Sequence, residues 1–262
     1  MTDLRIASDR TRQLTVTAAM VVCLIGTMIG VGVFGGPRVQ EAAGGALAAD
    51  ATLIAPAVSA FSIWTPIYLG LLAYTVWQWL PAQATDERHR AIGPLVAASM
   101  VLNALWLIVT GQGWLWVSVL VMAALVYALG RLVATLEEKP SFSTSETLIT
   151  DGTFGLYLGW VCVAMCANIT ATLVDAGLDP GGRVAEVAAV LVIAVAAALA
   201  VYLARRLGGR WAIALAVAWG LGWVAVGRLT DAPASGLVGV AAAVGAVVAL
   251  SAVARYRSTL AI

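Results

Sequence analysis

Eight runs of about twenty mostly apolar residues, joined by polar connections, constrain this chain more than any other feature. They fall at about 15–35, 60–80, 92–110, 112–133, 153–174, 184–204, 211–228 and 236–254. At about 1.5 Å rise per residue, twenty helical residues reach across a hydrocarbon core of about 30 Å. Runs of this length exceed transmembrane β-strands, so the expectation is an all-α integral membrane protein with eight transmembrane helices. The 262 residues are 61% hydrophobic and 11% charged, outside the range of an ordinary soluble domain. A net charge of +1 without a basic run argues against nucleic acid as a partner and leaves the lipid bilayer as the expected surroundings.

Most connections are short, which predicts antiparallel packing of sequential helices. Two are longer. Residues 36–59 are rich in Ala and Gly and suit either a lid over the mouth of the bundle or a disordered linker. Residues 134–152 are polar and read as a solvated loop, with Asp151 or Thr153 capping the helix that follows. With eight spans, all but three of the 15 Lys and Arg residues fall on one side, against Arg38, Arg183 and Arg228 on the other. The positive-inside bias therefore places both termini in the cytoplasm, in what reads as a bacterial-type cell membrane. The first run is kept as a span rather than a signal peptide, because Val16 to Phe34 is longer than a signal core.

No ionisable residue falls in the middle of a run, which counts against ion pumps, proton-coupled carriers and voltage sensors. His89, the lone histidine, lies between the second and third runs and reads as a solvated loop residue. No nucleophile, base and acid combine into a catalytic set, so no catalytic residue is nominated. Cys162 and Cys166, four apart without a third ligand, read as packing residues, and no metal site or required cofactor is expected. What remains is aromatic. Phe61 to Pro81 carries three tryptophans and two tyrosines, and helical spacing puts Trp64, Tyr68, Leu71, Leu72, Thr75 and Trp79 on one face, with Tyr74, Trp77 and Gln78 elsewhere. Pro66 permits a bend beside Trp64 and Tyr68. Asn103 and Trp106 share a face of the third run, and Trp160, Ala164 and Asn168 form a stripe on the fifth. The two asparagines suit either a bond to each other or to a backbone carbonyl between helices, or a ligand role. Indole and phenol rings with amides among them suit a flat apolar ligand with a few polar edges. Trp77, Trp79, Trp114 and Trp116 read as interfacial belt residues.

Small residues four apart, Gly26 with Gly30, Gly32 with Gly36 and Gly155 with Gly159, allow close helix approach and read first as generic packing. Seven of the ten tryptophans lie between residues 64 and 160. That shift divides the chain into a five-helix membrane domain, 1–176, and a three-helix membrane extension, 177–262; a single eight-helix domain with one shared pocket is the alternative.

Trp64-Thr65-Pro66-Ile67-Tyr68 with Gly70, Ala73, Tyr74 and Trp77 resembles the second helix of the tryptophan-rich sensory protein/translocator protein (TspO/MBR) family. Leu102-Asn103 with Trp106 is similar to that family's third helix, and Leu158-Gly159-Trp160-Val161 with Ala164, Ala167 and Asn168 to its fifth. Gly30 to Gly36 resembles the end of its first helix. The likeness covers about residues 15–176. The family's Trp-Pro-Pro-type motif between helices one and two is absent here, where Pro56 remains, and the five-helix members compared have no counterpart to spans six to eight. The resemblance implies a membrane receptor-like, sensory protein that binds a tetrapyrrole such as protoporphyrin or haem, or another apolar ligand. It implies a pocket lined by Trp64, Tyr68, Asn103, Trp106, Trp160, Ala164 and Asn168, with Trp64 and Trp160 closest to any photochemistry. An enzyme that oxidatively degrades or modifies such a ligand, or a carrier of apolar solutes, are the alternatives. The family's dimers imply a homodimer through the Gly26/Gly30 face.

Overall fold

A computed structural model describes residues 2–36, 38–141 and 143–260; Pro37 and Phe142, within the two long connections, lie outside it. Among the described residues there is no strand, and eight helices are long and apolar enough to cross a membrane. Their α-helical parts are α1 (Thr2–Gly30), α2 (Trp64–Trp77), α3 (Glu87–Gly111), α4 (Leu115–Glu138), α5 (Thr153–Asp175), α6 (Gly182–Arg206), α7 (Trp211–Thr230) and α8 (Gly236–Leu260), the second span starting at Val58 and the fifth at Thr144 in the turns that lead into α2 and α5.

Sequential neighbours are not always packing neighbours. Helix α1 lies chiefly against α3 and touches α2 only lightly, while α5 packs on α7 rather than on α6. Glycines set both contacts. A Cβ on Gly26 would sit 2.6 Å from the Cβ of Ala104, and one on Gly30 would sit 2.7 Å from Leu107 Cδ2. The Gly26/Gly30 face is thus covered by α3 of the same chain, and a second copy using it would have to replace that helix. On α5, a Cβ on Gly159 would meet the carbonyl oxygen of Ile213 at 2.4 Å. The apolar core around Trp160 continues without a break into Ile213 and Ala216 of α7, while α6 and α8 close a second, Ala/Val-rich cluster on the far side of α7.

The buried stripe of α2 is Ile67, Leu71, Tyr74, Thr75 and, just past its end, Gln78, whereas Leu72 and Trp79 are exposed. This corrects the expected face: Tyr74 is turned inward, its ring 5.3 Å from Phe154 and 5.6 Å from His89. Pro66 is the third residue of α2, where an N–H has no intrahelical acceptor, so it breaks nothing. The irregular backbone lies ahead of it, in the 3-10 turn Val58–Ile63.

The end of the bundle away from residues 36–59 is held by buried charge. Asp86 caps α3 by accepting from the backbone N–H groups of Arg88 and His89, so the helix begins several residues earlier than the apolar run. His89 is consequently fully buried rather than solvated, its Nε2 3.1 Å from Gln83 Oε1. The connection after α4 is likewise no free loop. A π-helical turn, Thr147–Gly152, leads into α5, and Asp151 caps nothing. Its carboxylate accepts from Arg88 at 2.7 Å and from Arg210, while Arg88 also reaches Glu146 at 2.8 Å and Arg210 reaches Glu137 at 3.0 Å. These pairs tie α3, α4, α5 and α7 together at one end.

Candidate ligand pocket

Helices α2, α3 and α5 bring Trp64, Trp106 and Trp160 to a common chamber. The Trp64 ring stacks on Tyr68 at 5.3 Å, one turn along the same helix, and meets the Trp160 ring edge-on at 6.3 Å. Phe61, from the 3-10 turn before α2, meets Trp160 edge-on at 5.8 Å. Trp106 and Trp160 are buried, as are Asn103 and Asn168; Trp64, Tyr68 and Ala164 are half-buried.

Three spaces adjoin in this chamber. An enclosed void of about 20 Å³ is bounded by Phe61, Trp64, Asn103, Trp106, Trp160 and Ala164, with Met122 across it. A second, of about 50 Å³, lies between Trp106, Trp160, Ala164 and Asn168 and the chain at Leu47, Thr52 and Pro56. The third is an open groove of about 510 Å³ along Thr27, Arg38, Trp64, Tyr68 and Trp106. Phe61 and Trp106 border all three, so those two rings are the partitions. All seven residues nominated from the sequence border this set of spaces. The chamber is closed down: pockets for drug-sized ligands run about 300–1,000 Å³, and only the groove has that volume.

The polar groups are distributed differently from expectation. The asparagines do not bond each other. Asn103 donates from Nδ2 to Tyr68 Oη at 2.8 Å, and Thr27 donates to the same phenol oxygen at 2.7 Å, which locks Tyr68 between α1 and α3. Asn168 exchanges bonds with Ser118 of α4, donating to its Oγ at 3.0 Å. The donors left over are indoles: Nε1 of Trp106 and Nε1 of Trp160 are buried without a hydrogen-bond partner among the described residues. Buried indole N–H groups normally find an acceptor, so two unpaired ones in one chamber are the sharpest chemical feature of the site. Sequence reasoning passed over Phe61, although it lies one helical turn before Trp64, and Ser118, whose run offered no sign that its hydroxyl met Asn168.

Residues 38–60 form the roof of the second void, so the stretch is a lid and not a free linker. Its fastenings come from α7. Arg228 donates to the carbonyl oxygens of Thr52 and Ala49, each at 2.9 Å, and Trp219 donates to that of Ala60 at 2.9 Å. The backbone N–H of Ala57 donates to the carbonyl of Trp223 at 3.2 Å. Arg228, expected among the outward-facing charges, is 1% exposed. A full charge is held there because backbone carbonyls replace its water.

The chamber presents aromatic faces and two indole N–H groups, but its enclosed voids of about 20 and 50 Å³ are too small for a planar ligand as they stand. It offers no acid–base pair, and among the described residues no group of three His, Cys, Asp or Glu side chains is placed to hold a metal ion. Among curated proteins and among solved structures nothing matches the chain. The family model for TSPO-like proteins matches residues 12–255, which takes in α6 to α8 as well as the first five helices. The last three spans, without counterpart in the five-helix proteins that the sequence resembles, are therefore part of this family's own pattern. Aromatic chamber, roof and roof-bearing α7 all lie within the matched residues, and the chain belongs to the TSPO-like family.

Proposed function

We propose that this protein is a membrane receptor that takes up a flat, largely apolar ligand of the tetrapyrrole class, protoporphyrin or haem, in the chamber between α2, α3 and α5. The observation that carries the reading is the pair of unpaired indole N–H groups, Trp106 and Trp160, set among stacked and edge-on rings. Ring faces attract an extended π surface, and the indole donors suit carboxylate or carbonyl acceptors on its rim. Arg38, on the groove outside Phe61, adds a cation where an anionic substituent would pass. For the iron of haem the lining offers the thioether of Met122 and the Tyr68 phenol, which Asn103 and Thr27 already engage, so recognition rests chiefly on the macrocycle and its edge. Binding requires Phe61 to swing aside and join the groove to the voids, since the enclosed spaces alone are too small. No residue in the chamber is equipped for acid–base or nucleophilic work, which favours binding and sensing over catalysis.

Titration of the purified protein with protoporphyrin, following tryptophan quenching and the ligand's absorption band together, tests the reading. Saturable quenching with a shifted band is expected, and both should weaken in Trp160→Phe, which keeps a ring but loses the donor. A linear, unsaturable response, or identical curves for wild type and Trp160→Phe, would overturn it.

A further inference from the structure

At the charge-rich end of the bundle, α6 and α8 finish side by side and leave a groove of about 530 Å³ between them. Its walls are Val201, Val247 and Val248, aliphatic residues at membrane depth, and its mouth carries Arg205, Arg255 and the hydroxyl of Ser251, with no carboxylate on its border among the described residues. The four arginines at these helix ends are used differently. Arg257 donates to the carbonyl of Gly209 at 2.9 Å, and Arg206 lies over the Tyr202 ring at 5.8 Å. Arg205 and Arg255 make neither a salt bridge nor a side-chain hydrogen bond among the described residues, and these are the two that face the groove.

We propose that this groove seats one anionic phospholipid, its phosphate held between Arg205 and Arg255 and one acyl chain lying along Val201, Val247 and Val248. Charge complementarity selects the occupant. Both helices present carbonyl ends here, which repel an anion, so the two guanidinium groups must reverse that field before a phosphate is welcome. Basic pockets between membrane helices are suited to anionic head groups, and the aliphatic walls distinguish a lipid from a free phosphate. Arginines in a last helical turn also offset the helix dipole, but that role needs no groove and predicts no preference among lipids. The site is some distance along the chain from the aromatic chamber, shares no lining residue with it, and does not depend on what that chamber binds.

The test is native mass spectrometry of the full-length protein in detergent with phosphatidylglycerol and phosphatidylcholine of matched chains. With each arginine near the surface favouring an anion, a preference for phosphatidylglycerol of about tenfold or more is expected. Arg205→Gln with Arg255→Gln should abolish the preference, while Arg206→Gln with Arg257→Gln, which removes the same charge, should keep it. Val247→Trp, which fills the groove and leaves both charges, should lower occupancy of either lipid; thermal unfolding like that of wild type certifies that each variant is folded. Equal loss in both charge pairs would reduce the effect to general surface potential and overturn the proposal. Displacement of the lipid by millimolar inorganic phosphate would also overturn it, because the acyl chain would then contribute nothing.

Discussion

Replacing Arg228 with Met keeps most of the aliphatic stem in α7 and removes the two bonds, 2.9 Å each, that hold the carbonyls of Ala49 and Thr52. Hydrogen bonds to a charged group contribute about 1.5–3 kcal/mol apiece, so the pair is worth about 3 kcal/mol or more. Part of that is offset, since Arg228→Met no longer keeps a guanidinium out of water. A net loss of about 2 kcal/mol in roof docking follows, and at 1.4 kcal/mol per factor of ten the open population rises about 30-fold. Hydrogen exchange reads this directly, because the amides of Ala51, Ala55, Ala57 and Ala60 are all bonded in the closed roof. Peptides covering residues 46–60 should exchange about 30-fold faster in the variant, while those from α3 and α4 keep their protection. The companion Trp219→Phe, which loses only its bond to the Ala60 carbonyl, should show a smaller rise in the same peptides. Unchanged exchange over 46–60 would mean that α7 does not fasten the roof; a rise spread evenly over all helices would mean that Arg228 supports the whole fold and not the lid.

Other consequences are open to simpler measurements. Arg88→Met leaves Glu146 with Ser141 and Asp151 with Arg210 as their remaining partners, so the loss of one cation from this buried cluster should cost up to about 3–5 kcal/mol, seen as a drop in thermal unfolding temperature in detergent. Gly159→Val places side-chain atoms against the Ile213 carbonyl and should destabilise the α5–α7 contact by about 1–3 kcal/mol, measured by denaturant unfolding. Phe61→Ala removes a partition common to all three spaces; stopped-flow quenching should show faster porphyrin association, even as stability falls by about 3–5 kcal/mol at most. Haem and iron-free protoporphyrin should bind within a few-fold of each other, and haem spectra should lack histidine ligation, because His89 lies at the other end of the bundle from the chamber.

Hydropathy made the eight spans legible, since length and apolar content decide what crosses a bilayer whatever the packing. Aromatic grouping likewise made the chamber legible: Trp64, Asn103, Trp106 and Trp160 sit at helical positions that point one way, and they border one void. What lay beyond reach were partners. Gly26 and Gly30 announce a close helix contact but carry no mark that says α3 rather than a second copy. The inner face of α2 does not continue the stripe through Trp64 and Tyr68: those two face the chamber, while Ile67, Leu71, Tyr74 and Gln78 meet the core. Asp151 looked like a cap because it precedes a helix, yet two arginines distant in sequence claim its carboxylate. The roof is the extreme case. Its fastenings are backbone carbonyls, which every residue has, and only their donors, Arg228 and Trp219, are distinctive.

The most direct test of the central claim is a structure of the protein saturated with protoporphyrin. The macrocycle is expected beside Trp64, Trp106 and Trp160, with Phe61 rotated out of the partition and acceptor oxygens within hydrogen-bond distance of the Trp106 and Trp160 indole nitrogens. Porphyrin bound on a lipid-facing helix surface, with Phe61 still between the two voids and both indole N–H groups unpaired, would contradict it.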